Sequence, residues 1–116
     1  MKSFVEQVKE FMLACGQTVN RFNPDQLALY ANLVCEEMLE AGYELPGTTS
    51  ELKEICDVLW VTIGYALSCG YDIEGAFTEV ARSNMSKLVN GVCVKDFNGK
   101  VTKGPQYSPA NMEPFV

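Results

Sequence analysis

Apolar side chains recur three and four residues apart from the N-terminus to Leu88, where that period stops, as expected of amphipathic helices followed by a different kind of structure. Ser3 and Glu6 form a capping box, and Val5, Val8, Met12, Cys15 and Val19 continue at helical spacing, which predicts a first helix over about residues 4–19. Asn20 to Asn23 break it. Asn23 as N-cap with Pro24 at the first helical position opens a second helix, carried by Leu27, Tyr30, Val34, Met38 and Ala41 to about residue 43. The loop Leu45-Pro46-Gly47 ends it. Thr48 and Glu51 cap a third helix that runs through Leu67 and closes at Cys69-Gly70. Leu52 to Leu67 carries apolar residues on every side, the pattern of a helix buried all round. Asp72 is placed to cap a fourth helix, on which Ile73, Ala76, Phe77 and Val80 share a face.

After Leu88 the chain changes character. Val92, Val94 and Val101 flank Phe97-Asn98-Gly99, and Asn-Gly between β-prone runs signals a hairpin. Pro105, Pro109 and Pro114 make the last dozen residues an extended tail that must dock to be ordered. The expected fold class is all-α: a four-helix bundle with a small C-terminal β-hairpin and an extended tail, filling residues 1–116 as one domain.

Composition narrows the chemistry. A hydrophobic fraction of 47% excludes disorder, and 9 Lys plus Arg against 15 Asp plus Glu give a net charge of -6 that would repel a nucleic acid. With no histidine, Ser/His/Asp and Cys/His catalysis, His-ligated zinc and Glu-x-x-His di-iron sites are all removed. Catalysis must run on carboxylates, lysines or thiols. The five cysteines form no C-x-x-C pair and read as reduced thiols, Cys35 and Cys56 packing as small hydrophobes. No signal peptide opens the chain, and the longest apolar stretch, Ile55 to Leu67, contains Asp57 and is too short to span a bilayer. A soluble cytoplasmic protein with no membrane partner is expected.

The acidic residues carry the sharpest signal. Glu36, Glu37 and Glu40 occupy one patch of the second helix, with Glu44 a turn further on, while Glu54 and Asp57 face together on the third among Leu52, Ile55, Val58, Leu59 and Trp60. A lone acidic patch is ordinarily a solvated face. Two facing patches are different, because the short loop makes the helices antiparallel and sets Glu37/Glu40 against Glu54/Asp57. Lys53 is the one lysine on either helix. Two carboxylates ~5 Å apart repel by ~3 kcal/mol at an effective dielectric near 20, so such a group calls for protons or a hard cation. Mg2+, with Mn2+ as a substitute, suits an all-oxygen set of Glu36, Glu37, Glu40, Glu54 and Asp57.

Glu36-Glu37-x-x-Glu40 followed by Glu54-x-x-Asp57 resembles the MazG-like all-α nucleoside triphosphate pyrophosphohydrolases. Phe11 to Gln17, Arg82 to Lys87, and Lys103-Gly104-Pro105-Gln106-Tyr107-Ser108-Pro109 are similar to their phosphoribosyl-ATP pyrophosphohydrolase-like phage and bacterial branch. The resemblance implies magnesium-dependent hydrolysis of a (deoxy)nucleoside triphosphate, such as dGTP or dCTP, to the monophosphate and pyrophosphate. It also implies a homo-oligomer, a dimer or tetramer, and the all-round apolarity of the third helix independently predicts subunit contacts that complete the core. If the chain is phage-encoded, the compartment is the host cytoplasm.

Within that reading Glu36 or Glu37 takes or orients the proton of the attacking water. Arg82, Asn84, Lys87, Lys103 and Tyr107 are candidates for the phosphates, and Gln17 and Asn20 for the base. Each has an ordinary alternative: cations complement a helix C-terminus, and polar residues at a helix end act as caps. Two other readings stay open, phosphoribosyl-ATP hydrolysis and a noncatalytic helical protein stabilised by metal.

Overall fold

The computed structural model describes all 116 residues, Met1–Val116. The chain is mostly helical: α1 spans Phe4–Ala14, α2 Pro24–Tyr43, α3 Thr49–Ser68 and α4 Ile73–Met85, with a single 3-10 turn at Glu113–Phe115. No strand forms. No helix is long and apolar enough to cross a membrane. The residues divide into two compact units, Met1–Ile73 and Glu74–Val116.

Sequence chemistry sets the helix starts of the first unit. Ser3 accepts from the Glu6 amide while Glu6 reaches back to the Ser3 amide, Asn23 accepts from the Gln26 amide ahead of Pro24, and Thr48 accepts from the Glu51 amide. The first helix, however, stops at Ala14 rather than near residue 19. Gly16 adopts φ +76°, its amide donates to the Leu13 carbonyl and the Gln17 amide to that of Met12, which is a Schellman ending. Val19 nevertheless packs on the core, so the apolar period outlasts the helix. α3 ends the same way, with Gly70 at φ +83° and the Tyr71 amide on the Ala66 carbonyl.

The core of this unit joins Val5, Val8 and Met12 of α1, Tyr30 of α2, and Val61, Ile63 and Leu67 of α3. Phe11 adds an edge-on contact to Trp60, ring centroids 5.6 Å apart. Beside this core runs a buried polar seam. The Gln26 amide nitrogen donates to the Thr18 carbonyl at 2.7 Å and to Ser68 Oγ at 2.8 Å, its oxygen accepts from the Thr18 amide, and Ser68 Oγ donates to the Gly64 carbonyl. A buried amide with its partners all present ties the α1–α2 connection to α3 at no desolvation loss. Gln26 faces Ser68 and Tyr30 faces Gly64, so each step along α2 is matched by a step back along α3: the pair is antiparallel.

Burial of α3 is concentrated in its C-terminal half. Val61, Ile63, Gly64, Ala66, Leu67 and Ser68 are buried, but Leu52, Ile55 and Leu59 stay exposed. A helix buried all round was the expectation; within one chain, α1 and α2 cover only part of its circumference. Cys35 and Cys56 are likewise exposed rather than core residues, since they lie off the faces that α2 and α3 turn to each other.

In the second unit the tail runs back along α4. Ser83, buried, donates to the Ser108 carbonyl at 2.9 Å, the Ser108 amide donates to Ser86 Oγ, and the Gly104 amide donates to the Lys87 carbonyl at 3.0 Å. The Asn98-Gly99 turn is made as its residues demand, with Gly99 at φ +82° and Asp96 Oδ1 accepting from the Asn98 and Lys100 amides. Its arms do not become strands. They share a single bridge, Lys95 to Val101, and another isolated bridge joins Val89 to Val92. Residues 91–100 are all exposed, so this segment buries no apolar face to stabilise a two-stranded ribbon.

Candidate metal centre

Two turns beyond Tyr30 on α2, at roughly 10 Å along the axis, Glu37 comes out on the same stripe that faces α3. Opposite it, α3 presents Glu54 and Asp57. One carboxylate oxygen from each of Glu37, Glu54 and Asp57 lies within 4.8 Å of the others. All three side chains are half-buried. The helical register explains the convergence: Glu37 follows Gln26 and Tyr30 at helical spacing, and Asp57 precedes Gly64 by two turns, so the antiparallel pairing that joins Tyr30 to Gly64 also joins Glu37 to Asp57.

Electrostatically the group is unbalanced. Lys53 Nζ contacts Asp57 Oδ2 at 2.5 Å, a contact that pushes the lysine pKa up, with smaller contributions from the charges of Glu54 and Glu37, but its ammonium is largely exposed and it bonds directly to Asp57 and to neither glutamate. Glu37 Oε2 and Glu54 Oε2 are buried without a hydrogen-bond donor. Buried carboxylate oxygens left without donors are costly unless a proton or cation lies between them. The protein's own response is visible at Glu37. Burial first, then hydrogen bonds with Glu54 and Glu40 that favour its protonated form, then the charges of Glu40 and Asp57, raise its pKa to about 7.

Those two orphaned oxygens test the fit of a metal. Three carboxylates from two rigid helices, all hard oxygen donors with open lone pairs, match what Mg2+ or Mn2+ requires while leaving positions for water and phosphate. Glu40, a turn beyond Glu37, is exposed and adjoins the trio through Glu37. Glu36 is exposed and lies outside the trio.

The other candidate residues fall in two places. Gln17 accepts a 2.7 Å hydrogen bond from the Tyr30 hydroxyl, and Asn20 is exposed at φ +62° in the α1–α2 connection. Arg82, Asn84, Lys87, Lys103 and Tyr107 belong to the second unit. There the Lys103 ammonium sits 4.9 Å from the Tyr107 ring centroid, a cation–π contact. Asn84 is exposed, and Lys87 uses its carbonyl to hold Gly104. Arg82 is engaged: it donates to both oxygens of Glu79, at 2.6 and 3.0 Å, and to the Pro109 carbonyl at 3.1 Å.

Gln26 and Glu79 organise these surroundings and were not singled out from sequence. Gln26 carried a signal, being a polar residue four before Tyr30 on the same helical face. Glu79 carried one too, three residues before Arg82, the spacing of an intrahelical ion pair. No protein-family model matches the chain, and no curated protein matches it.

Proposed function

We propose that this chain is a MazG-like, divalent-metal-dependent nucleotide diphosphatase that hydrolyses (deoxy)nucleoside triphosphates to monophosphate and pyrophosphate in the cytoplasm. The observation that carries the metal is the pair of donorless buried oxygens on Glu37 and Glu54, facing each other from opposed helices beside Asp57. The substrate class rests on the resemblance of the acidic motifs and of the segments around Arg82 and Lys103.

Glu37, Glu54 and Asp57 would hold Mg2+ or Mn2+, with Glu40 at the margin. A divalent ion held there would supply charge neutralisation for a triphosphate and acidify a nearby water. The water oxygen bonds to the α-phosphorus, the bond to the bridging oxygen breaks, and pyrophosphate leaves. Glu36, exposed beside the trio's helix face, or Glu37 receives the water proton. Phosphoryl transfer depends mainly on positioning and charge, so neither histidine nor a nucleophilic serine is required.

A panel of ribo- and deoxyribonucleoside triphosphates with Mg2+ or Mn2+, scored for monophosphate and pyrophosphate, tests the reading. Phosphoribosyl-ATP in the same panel distinguishes that substrate from dGTP and dCTP. Glu37→Gln, Glu54→Gln and Asp57→Asn are each expected to cut turnover by ~100-fold or more, the size typical of losing a group that stabilises charge in the transition state. Metal-dependent thermal stabilisation with no pyrophosphate from any substrate would instead support a noncatalytic metal-stabilised protein.

A further inference from the structure

We infer that Asn90 is a site of spontaneous covalent modification in the folded chain, converting to aspartate and isoaspartate through a cyclic imide, whereas Asn98, in the same dipeptide, is held back by its turn. Asn-Gly occurs at Asn90-Gly91 and at Asn98-Gly99 and nowhere else. Both pairs are exposed and belong to the second unit, and a Cβ at either glycine would meet nothing within 4 Å. Sequence and exposure do not separate them. Hydrogen bonding does.

The reaction starts when the glycine amide nitrogen gives its proton to solvent and attacks Cγ of the asparagine side chain, unhindered because glycine has no Cβ. A new N–C bond closes a five-membered ring, and the side-chain nitrogen leaves as ammonia. Water then opens the ring. Cleavage at Cγ restores the ordinary main chain with an aspartate; cleavage at the main-chain carbonyl routes the chain through Cγ and leaves an isoaspartate.

At Asn90 the nucleophile is free. The Val89 and Val92 amides each donate to the other's carbonyl, at 2.9 and 3.0 Å, around Asn90 at φ +50° and Gly91 at φ +75°. Positive φ at both central positions makes the type I′ turn that Asn-Gly favours. The Gly91 amide at its tip donates to no group of the chain. No acidic residue lies between Glu79 and Asp96, while Lys87 stands three residues before Asn90, so the local charge along the chain favours the amide anion. At Asn98 both conditions are reversed. The Gly99 amide donates to the Asp96 carbonyl at 3.0 Å, and Asp96 Oδ1 accepts from the Asn98 and Lys100 amides on either side of it. That nitrogen must first give up a hydrogen bond, and its anion would form beside a carboxylate.

The product at Asn90 has something to act on. Val89 Cγ2 and the Lys87 carbonyl oxygen each lie 2.8 Å from where a Cβ on Gly104 would fall, and the Gly104 amide donates to that same carbonyl at 3.0 Å. The 89–92 turn therefore backs the start of the tail. An isoaspartate inserts a carbon into the main chain between Val89 and Val92, so their paired hydrogen bonds lose their geometry and the support of Gly104 loosens.

Prolonged incubation of the full chain in mildly alkaline buffer tests this, with peptide mapping by a fragmentation method that separates aspartate from isoaspartate. Asn90 is expected to convert roughly 5- to 10-fold faster than Asn98, the size of one net hydrogen bond. In guanidinium, where both turns are lost, the two rates should converge. Asp96→Ala should speed conversion at Asn98 and leave Asn90 as it was. In the isoaspartyl form, separated from the unmodified chain by its added charge, hydrogen exchange at the Gly104 amide should be roughly 10-fold faster. Equal rates in the folded chain, faster conversion at Asn98, a difference that survives in guanidinium, or an Asn98 rate indifferent to Asp96→Ala would each overturn the assignment. Unchanged exchange at Gly104 would overturn its coupling to the tail.

Discussion

The ring of Tyr30 occupies the space that a side chain at Gly64 would need: a Cβ built there falls 2.7 Å from Cδ1 and 2.8 Å from Cζ of Tyr30. The ring is buried and cannot swing aside freely, because its hydroxyl is bonded to Gln17 and burial surrounds it. Gly64→Ala in an open helix would gain about 1 kcal/mol of propensity. Here we expect the opposite sign, a loss of about 1–3 kcal/mol from overpacking, seen as a Tm lowered by several degrees. Introducing Tyr30→Leu first should remove most of that penalty, a coupling that a double-mutant cycle measures. A raised Tm for Gly64→Ala alone would refute the close approach of the two helices.

That approach explains why part of the site was legible in the sequence. Asn23-Pro24 and Thr48 set the starts of α2 and α3, the short loop sets their direction, and helical spacing then brings Glu37 toward Glu54 and Asp57. What spacing cannot show is which residues of a patch point inward. Glu36 and Glu40 are neighbours of Glu37 in the same acidic motif, yet the stripe through Gln26 and Tyr30 continues only to Glu37. The end of α1 was obscured because Val19 falls seven residues after Met12 and prolongs the apolar period past the turn at Gly16. Apolarity all round α3 predicts a helix buried on every side, but hydrophobic pattern does not say whose atoms do the burying, and within the chain Leu52, Ile55 and Leu59 stay exposed. Asn98-Gly99 marks a turn correctly; a turn signal alone supplies no face for strands to cover.

Glu37 gives a pH dependence with a definite sign. Its folded pKa, about 7 against an ordinary 4.5, is raised, so its contribution to stability is fully present below the unfolded value and is lost as pH climbs through the folded one. With a chelator present, the Tm is expected to fall between about pH 4.5 and 7. Glu37→Gln should flatten that fall and make the metal-free protein more stable near neutrality. Mg2+ should act in the contrary direction for wild type, stabilising it at neutral pH by about 2.7 kcal/mol when free metal exceeds the dissociation constant 100-fold. Thermal melts of both proteins across pH, with Mg2+ and with chelator, check all three expectations. A Tm of wild type that rises with pH over this interval in chelator would contradict the arrangement of the trio.

Arg82 and Glu79 predict the behaviour of the tail. Hydrogen bonds from Arg82 lead the causes that hold the Glu79 pKa down at about 2, followed by the Asn111 amide, which donates to Glu79 at 2.8 Å. A depressed folded pKa means the attachment is complete above the ordinary carboxylate value of 4.5 and is lost as pH falls toward 2. Arg82 also donates to the Pro109 carbonyl, so one guanidinium fixes the acid and the tail together. Lysine has no planar fork and cannot reproduce that set of bonds. We therefore expect Arg82→Lys and Glu79→Gln each to speed hydrogen exchange at the Asn111 amide by roughly 10-fold at neutral pH, while amides in the middle of α3 stay unchanged. In wild type the same amide should lose protection on acidification below pH 4.5, the ordinary carboxylate value. Exchange at Asn111 that is indifferent to both substitutions would show that the serine contacts of Ser83 and Ser86 hold the tail without this pair.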